Sequence, residues 1–479
     1  MGFLPLLTIE RLCQPHFPRV PQERSIVYYT GVALEPWGPE RLETGLGGSE
    51  TAALMLAACW ANDGKSGREV AIYLRMTPLA SEASSPNASD ASVADGNTGS
   101  GAHFCSVVPE RTWRGVRLLD VSTFNPSDDF DTLVVWRSWE VLDQTLSAQL
   151  LLVDMHDMPW QLEISPARMR KVGPLRITRL PSSPTFCSVL PPPPRLIPSL
   201  NSCSLASQVD RLMLKSDFQR VSLPEKADAL PASVVPNGVD GELIEQVKAE
   251  VKAEAEADVT AAAGNVAVQL RLLYTSSYDR GLEYMLRYGW PLIREALPNA
   301  VLHVYYGWRT HELLHAASAW RDEMKQLLAS YGESVVEHGR VGQPELLRAK
   351  ARAHLLYYVG DWPEIDCIAV REAAMLGCIP LTSSVAVFGD AAKDYVVRVP
   401  GDPKQPSTQQ VAARRAIEML RQYQRTGSMP SVDTPTLREE TWARVAGRWL
   451  EIIERGALHR EVEDSYPKIP AGVFALHSV

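Results

Sequence analysis

Cysteines are few in this chain of 479 residues, and basic residues are outnumbered by acidic ones. The seven cysteines are scattered, without a CxxC pair or a metal-ligand cluster. Their odd number indicates a reducing compartment rather than a disulfide framework. The formal net charge of −9 argues against a broad nucleic-acid-binding surface, and we expect no nucleic-acid partner. It leaves room for a local basic pocket that binds a nucleotide diphosphate.

Long apolar runs and targeting signals are also missing. No stretch of about 18 apolar residues occurs, so we expect no transmembrane segment. The first residues lack a basic segment and are interrupted by Pro5, which argues against a signal peptide. These absences predict a soluble, cytoplasmic protein whose first partners are small molecules.

The order of elements predicts an α/β protein with two halves. Short runs rich in β-branched and aromatic residues alternate with helical patterns, which favours parallel sheets with ligand loops at the carboxyl ends of the strands. We predict an N-terminal Rossmann-like domain at 1–225, a C-terminal Rossmann-like domain at 226–435, and a C-terminal helix and tail at 436–479.

Several elements of these halves can be placed from the sequence. We expect a first strand at 25–33 and a helix at 49–62 with Ser49 as its N-cap. The run 232–236 is expected to open the second set of elements. Further helices are predicted at 281–297 and 365–376.

Three segments depart from this alternation. Residues 80–103 are rich in Ser, Ala, Asn and Gly, which is typical of a disordered loop. Residues 246–263 are rich in Ala, Glu and Lys and predict a solvated helix. Residues 172–207 are rich in Pro, Ser and Leu, and two interpretations stay open: a long surface insertion or a translated, retained intron.

A glycine-rich segment, Gly45-Leu-Gly-Gly-Ser-Glu-Thr51, follows the first strand. Glycines let backbone amides approach a ligand closely, and a helix N-terminus favours an anion. The segment is not a P-loop, because no Gly-Lys-Ser/Thr follows, and it lacks the third glycine of a dinucleotide fingerprint. A tight turn that packs the helix against the sheet is the alternative.

Glu364 and Glu372 are separated by seven residues near the predicted helix at 365–376. At 1.5 Å per residue they lie about 12 Å apart, which is too far for the paired carboxylates of a glycosidase. The spacing suits two carboxylates that bind hydroxyls at opposite ends of an extended ligand, while the amides at 366–368 face its phosphates. The alternative is a pair of ordinary helix glutamates.

Seven motifs in order resemble family 4 of the retaining glycosyltransferases, which have the GT-B fold of two facing Rossmann-like domains. The motifs are Gly-Gly-Ser-Glu at 47–50, His156-Asp157, Lys215-Ser-Asp-Phe-Gln-Arg220, Val235-Pro-Asn-Gly-Val-Asp240, Ser276-Ser-Tyr-Asp-Arg-Gly-Leu-Glu283, His338-Gly-Arg-Val341 and the Glu364/Glu372 element. The resemblance spans about residues 25–390. It also implies a C-terminal helix that returns to the N-terminal domain.

The resemblance implies catalytic roles for His156, Arg280 and Glu364. His156 would lie near the reacting sugar as a hydrogen-bond partner, and Glu364 would bind the sugar's 3- and 4-hydroxyls. Arg280 would neutralise the diphosphate and stabilise charge on the leaving group. Taken alone, a histidine at a strand end is more often structural.

The remaining implied residues bind the donor. Glu372 would hold the ribose hydroxyls, and Arg340 would lie near the base. The other donor-binding positions are Gly47, Gly48, Ser276, Arg280, Asp366, Cys367 and Ile368. The chain departs from many family members at Thr275, where they have an arginine; Arg309 or His311 are candidates to replace that charge.

Asp129-Phe-Asp131 matches the Asp-x-Asp motif that holds a metal ion in another glycosyltransferase fold, but here it precedes a strand. We interpret it as a solvated strand entrance and expect no metal and no cofactor. The predicted function is metal-independent transfer of a hexose-type sugar from a UDP- or GDP-linked donor. The acceptor, whether glycan, protein, lipid or small molecule, stays open. The alternatives are a degenerate GT-B scaffold or binding protein, and a nucleotide-sugar epimerase.

Overall fold

A computed structural model of the chain describes residues 24–64, 67–76, 110–158, 209–223, 230–261, 269–315, 317–390, 392–432 and 434–465. The predictions for 80–103 and 172–207 lie outside these residues. Among the described helices, none combines the length and apolarity needed to cross a membrane.

The first half is built on an eight-stranded sheet in the order β3-β4-β2-β1-β5-β6-β7-β8. Every pairing is parallel except that of β3 with β4. The central strands are continuous apolar runs because helices and loops cover both faces of a parallel sheet. The strands are β1 Ile26–Tyr29, β2 Val70–Leu74, β3 Arg111–Trp113, β4 Val116–Asp120, β5 Asp129–Trp136, β6 Ser147–Asp154, β7 Arg211–Leu214 and β8 Ala232–Val234; the helices are α1 Gly48–Ala61 and α2 Asp217–Val221.

The second half is built on a six-stranded sheet, parallel throughout, in the order β11-β10-β9-β12-β13-β14. Its strands are β9 Leu270–Tyr274, β10 Ala300–Tyr305, β11 Val335–Gly339, β12 Leu355–Tyr358, β13 Ile379–Ser383 and β14 Val397–Val399. Its helices are α3 Gly241–Ala261, α4 Leu282–Tyr284, α5 Trp290–Ala296, α6 Arg309–Leu314, α7 Ala319–Ser330, α8 Gln343–Ala351, α9 Ile368–Met375, α10 Pro406–Thr426 and α11 Pro435–Glu439. Two parallel-sheet α/β halves were the predicted architecture, and that prediction is confirmed.

The strand predicted to open the second set belongs instead to the first sheet. Ala232–Val234 pairs in parallel with β7, so the first sheet continues past residue 225. The run offered no sequence signal for this choice, because an edge strand of either sheet has the same apolar pattern. The sheet changes between Val234 and Leu270.

Two predicted helix starts are also wrong, and a third predicted helix is irregular inside. The helix at 49–62 begins at Gly48 with Gly47, not Ser49, as its N-cap, because glycine is an acceptable N-cap residue. The helix at 281–297 contains a π-helical turn, Met285–Gly289; Pro291 lacks an N–H and its ring crowds the preceding turn. The helix at 365–376 begins only at Ile368.

The last helix, α12 Trp442–Ser465, returns to the first half and packs on α1 and β6. Val445, Trp449 and Ile453 lie in the core of the first half. The Trp449 ring lies edge-on to Trp60, with centroids 5.4 Å apart. The predicted return of the C-terminal helix is therefore confirmed.

Replacing Trp449 by Ala should lower the free energy of unfolding by about 3–5 kcal/mol, because a fully buried aromatic side chain is lost and a cavity remains. Urea unfolding followed by circular dichroism measures the effect. Trp362→Ala is the matched control, since this side chain is 43% exposed, and should cost less than about 1 kcal/mol. Equal losses for the two variants would contradict the role of α12 in the first core.

Candidate active site

The two halves meet where the N-termini of α1 and α9 come together. A Cβ added at Gly48 would lie 3.8 Å from Ile368 Cδ1. Ile368 also packs with Ala52, Met55 and Trp442 in a small apolar cluster. The structure therefore brings Gly48 and Ile368, predicted donor-binding residues of the two halves, close together, at the N-termini of two helices whose first N–H groups have no intrahelical partner.

Arg280 and Glu364 form an ion pair at this junction. Arg280 Nη1 lies 3.0 Å from Glu364 Oε1, and Tyr358 donates to the same oxygen at 2.6 Å. The Arg280 guanidinium also lies over the Trp362 ring, 4.5 Å from its centroid. Burial lowers the pKa of Arg280, but the charge of Glu364 outweighs burial and holds that pKa above its ordinary value. The arginine is therefore a permanent cation beside the cleft.

Two glycines make this pairing sterically feasible. Gly281 has a left-handed φ of 103°, and a Cβ there would lie 2.6 Å from Gly360 Cα. A Cβ at Gly360 would lie 2.1 Å from the carbonyl oxygen of Arg280. Larger residues would separate the loop after β9 from the loop after β12. Close packing of the two loops thus explains why a glycine follows Arg280 in the Ser276–Glu283 motif.

Asp366 is a structural anchor through its side chain. Its carboxylate accepts the backbone N–H of Asn237 at 2.6 Å and pairs with Arg371 Nη2 at 2.6 Å. The Asn237 side chain donates back to the Asp366 carbonyl at 3.1 Å. These bonds and burial, with the side chain only 1% exposed, keep the Asp366 carboxylate away from a ligand, so the main chain at 366–368 is the part left to bind a donor. Cys367 is the N-cap of α9, and burial raises the pKa of its thiol.

Glu372 lies on α9 and is paired within the second half. Lys350, fully buried on α8, forms an ion pair with it, and Gln343 Nε2 donates to it at 3.1 Å. Each carboxylate oxygen accepts two hydrogen bonds, so both retain capacity for a ligand hydroxyl. Ser276 lies at the adjoining strand end, where its hydroxyl donates to Tyr358 at 3.4 Å.

His156 belongs to a buried polar group in the first half. Its Nε2 lies 3.2 Å from Asp154 Oδ2, and Lys215 Nζ lies 2.6 Å from Asp154 Oδ1. The Tyr28 hydroxyl also donates to Asp154. Burial lowers the pKa of His156, and the charge of Lys215 also lowers it, so the imidazole is neutral at pH 7. Its described contacts run to Asp154 and Trp136 in its own half, and its catalytic role stays a prediction.

Two of the sequence motifs are joined by one side chain, Gln219. Its Oε1 accepts the backbone N–H of Lys215 at 2.7 Å. Its Nε2 donates to the carbonyls of Met155 and Asp157 at 3.1 and 2.8 Å. The Lys215–Arg220 motif therefore holds the His156-Asp157 loop in place.

Arg137 joins the same loop to the glycine-rich segment. It donates to both oxygens of Asp157, at 2.8 Å each, and lies 3.5 Å from Glu50 Oε1. Its backbone has a left-handed φ of 56°, a strained conformation often found at functional sites. A Cβ at Gly47 would lie 2.2 Å from Glu50 Oε2, so a larger residue there would displace the Glu50 side chain.

Arg340 lies at a second contact between the halves. Its Nη1 lies 3.3 Å from Glu35 Oε1 of the first half, and its Nη2 donates to Thr310 at 2.7 Å. Arg309, one candidate to replace the charge missing at Thr275, also pairs with Glu35. The other candidate, His311, packs against Trp320 and His315, with ring centroids 5.2 and 4.7 Å apart.

Asp129 begins β5 at its amino end and is exposed. Arg137 follows the other end of the same strand, about 26 Å away at roughly 3.3 Å per residue. The Asp129-Phe-Asp131 segment is thus a solvated strand entrance far from the junction, as interpreted from the sequence.

Sequence reasoning missed four side chains that shape this site: Tyr358, Lys350, Asp154 and Glu35. Asp154 carried a usable signal, because it ends an apolar strand at the carboxyl edge, where ligand loops lie. Tyr358 ends β12 in the same way. Lys350 and Glu35 lie outside all seven motifs, and nothing in their local sequence marks them.

No protein-family model and no curated protein sequence matches the chain. Solved structures do match in fold. A trehalose-6-phosphate synthase, OtsA, is 10% identical with a TM-score of 0.53, and the match covers 90% of this chain and 99% of that one. The alpha,alpha-trehalose 6-phosphate synthase of Burkholderia multivorans is 10% identical with a TM-score of 0.52, covering 94% and 100%. A sucrose-phosphate synthase from Thermosynechococcus elongatus is 15% identical with a TM-score of 0.49, covering 92% and 100%. At such identities the likeness shows the fold, and the chain has the GT-B fold predicted from its sequence.

Proposed function

We propose that the chain is a retaining glycosyltransferase that moves a hexose-type sugar from a UDP- or GDP-linked donor to an acceptor hydroxyl, without a metal ion. The observation that carries this proposal is the Arg280–Glu364 pair near the N-terminus of α9, whose first residue, Ile368, lies close to Gly48 of the other half. A permanent cation and free helix N–H groups together suit a diphosphate. The GT-B fold supports the same function.

The donor is proposed to bind along the second half. Main-chain amides at 366–368 and Arg280 would face the diphosphate, and Glu364 would accept the sugar hydroxyls. Glu372 would accept the ribose hydroxyls, with Lys350 as its ion-pair partner. The acceptor would bind against the first half, where His156 is available as a hydrogen-bond partner for the reacting sugar. Glycan, protein, lipid and small-molecule acceptors all stay open.

The proposed chemistry is same-face substitution at the anomeric carbon. The bond from that carbon to the diphosphate oxygen breaks, and the acceptor oxygen forms the new bond on the same face. The acceptor proton passes to the departing diphosphate. Arg280 stabilises the negative charge that develops on this leaving group, which is where a pre-positioned cation has its largest effect. Closure of the two halves would exclude water.

Replacing Glu372 by Gln should weaken binding of the nucleoside diphosphate at least tenfold, because the ribose hydroxyls lose an ionised acceptor worth about 1.5–3 kcal/mol. Calorimetric titration of UDP and GDP into each variant measures this. The double variant Glu372→Gln/Lys350→Met removes both charges, so no buried charge stays unpaired, and should show the same loss. Glu418→Gln, an exposed acid paired with Arg415, is the control. Unchanged binding in both site variants would refute the assigned donor site.

Replacing Arg280 by Gln should lower the turnover of the sugar nucleotide about 100-fold or more, because charge on the leaving diphosphate is no longer compensated. Release of nucleoside diphosphate with water as acceptor measures turnover without a known acceptor. Arg287→Gln removes an arginine that pairs with Glu283 on a surface turn and should leave turnover unchanged. Wild-type protein that binds the donor but releases no diphosphate, even with an acceptor panel, would favour a scaffold instead.

A further inference from the structure

Three arginine side chains converge on one carboxylate at the contact between the halves. Glu35, after β1, lies 2.7 Å from Arg309 Nε, 3.3 Å from Arg340 Nη1 and 3.5 Å from Arg41 Nη2. We call these four residues the Glu35 cluster. Three positive charges face one negative charge, which leaves a surplus of two positive charges. The surplus lies in a chain whose net charge is −9.

The Glu35 cluster borders the proposed donor site. Arg340 lies over the Tyr306 ring, 5.1 Å from its centroid. A Cβ at Gly45 would lie 2.2 Å from Arg340 Cγ. The cluster is therefore next to the glycine-rich segment.

Glu35 is one carboxylate paired with three arginine side chains. Burial would raise its pKa, but the hydrogen bond from Arg309 and the charges of Arg340 and Arg41 outweigh burial and lower that pKa. Glu35 is thus ionised at neutral pH. Its two oxygens offer about four acceptor sites, whereas three guanidinium groups offer about fifteen donors. Most of the donors are left for water or for a ligand anion.

We propose that the Glu35 cluster binds a phosphoryl group of a substrate. A surplus of two charges matches the charge of a phosphate monoester or of a nucleotide diphosphate near neutral pH. Arginine forks suit the bidentate geometry of phosphate oxygens. On the proposed function, two substrates carry such a group: the donor, whose diphosphate would gain the charge missing at Thr275, and an acceptor that carries a phosphate monoester.

Titration of inorganic phosphate into the full chain tests the site. Arg309→Gln and Arg340→Gln should each weaken phosphate binding about tenfold, since each removes a charged hydrogen-bond donor. Glu35→Gln should strengthen phosphate binding, because the internal counter-ion loses its charge. If Glu35 only stabilised the fold, Glu35→Gln would not strengthen phosphate binding. Arg348→Gln removes an arginine that pairs with Glu250 elsewhere in the second half and should leave phosphate binding unchanged.

Competition with UDP and GDP distinguishes the two sources of the phosphoryl group. Phosphate displaced by either nucleotide assigns the Glu35 cluster to the donor, and phosphate bound together with the nucleotide assigns it to the acceptor. Phosphate that does not bind, or binds equally to wild type, Arg309→Gln and Arg340→Gln, overturns the site. If the phosphate site fails in this way but nucleotide binding still depends on Glu372, the proposed donor site is retained. Failure of the Glu35 cluster and failure of the donor site are therefore distinguishable.

Discussion

The ion pairs of the buried Arg371 guanidinium are the interaction on which the site depends most. Arg371 is 0% exposed and pairs with Asp366 and Glu440. Asp366 holds the chain at Asn237, and Glu440 precedes the last helix. Both passages of the chain between the halves therefore converge on one side chain of α9. A buried cation that lost either partner would be left partly uncompensated, at a cost of about 3–5 kcal/mol.

Backbone hydrogen bonds also join the two passages of the chain that connect the halves. Val239 N–H donates to the carbonyl of Glu440 at 3.0 Å, and Trp442 N–H donates to the carbonyl of Val239 at 3.1 Å. A Cβ at Gly238 would lie 2.7 Å from Trp442 Cα, so the two passages need glycine to pack this closely. The Val235–Asp240 motif, which has no chemistry of its own, thus fixes the direction in which the N-terminus of α9 faces the first half. A displacement there would move the amides at 366–368 away from the junction.

The parallel order of the strands and the presence of a second sheet followed from patterns that burial imposes along the chain, and the return of the last helix followed from the resemblance to a family. The side-chain partners did not, because they join residues far apart in sequence: Glu372 with Lys350, and Glu35 with Arg340. The edge strand Ala232–Val234 was misassigned for a related reason, since its sheet is decided by a neighbour and not by its own residues. The motifs predicted which loops meet, and the structure adds what each charge is paired with.

Those pairings decide where a negatively charged ligand can bind. Outside the Glu35 cluster, the site acids and bases are closely matched: Arg280 by Glu364, Lys350 by Glu372, and Lys215 by Asp154. A matched pair attracts an anion weakly, because the field of the cation is cancelled within a few ångströms. The overall charge of −9 adds no long-range attraction. Recognition of a phosphate therefore needs helix N–H groups and unmatched arginine charge in addition to Arg280, and the two features lie side by side where the halves meet.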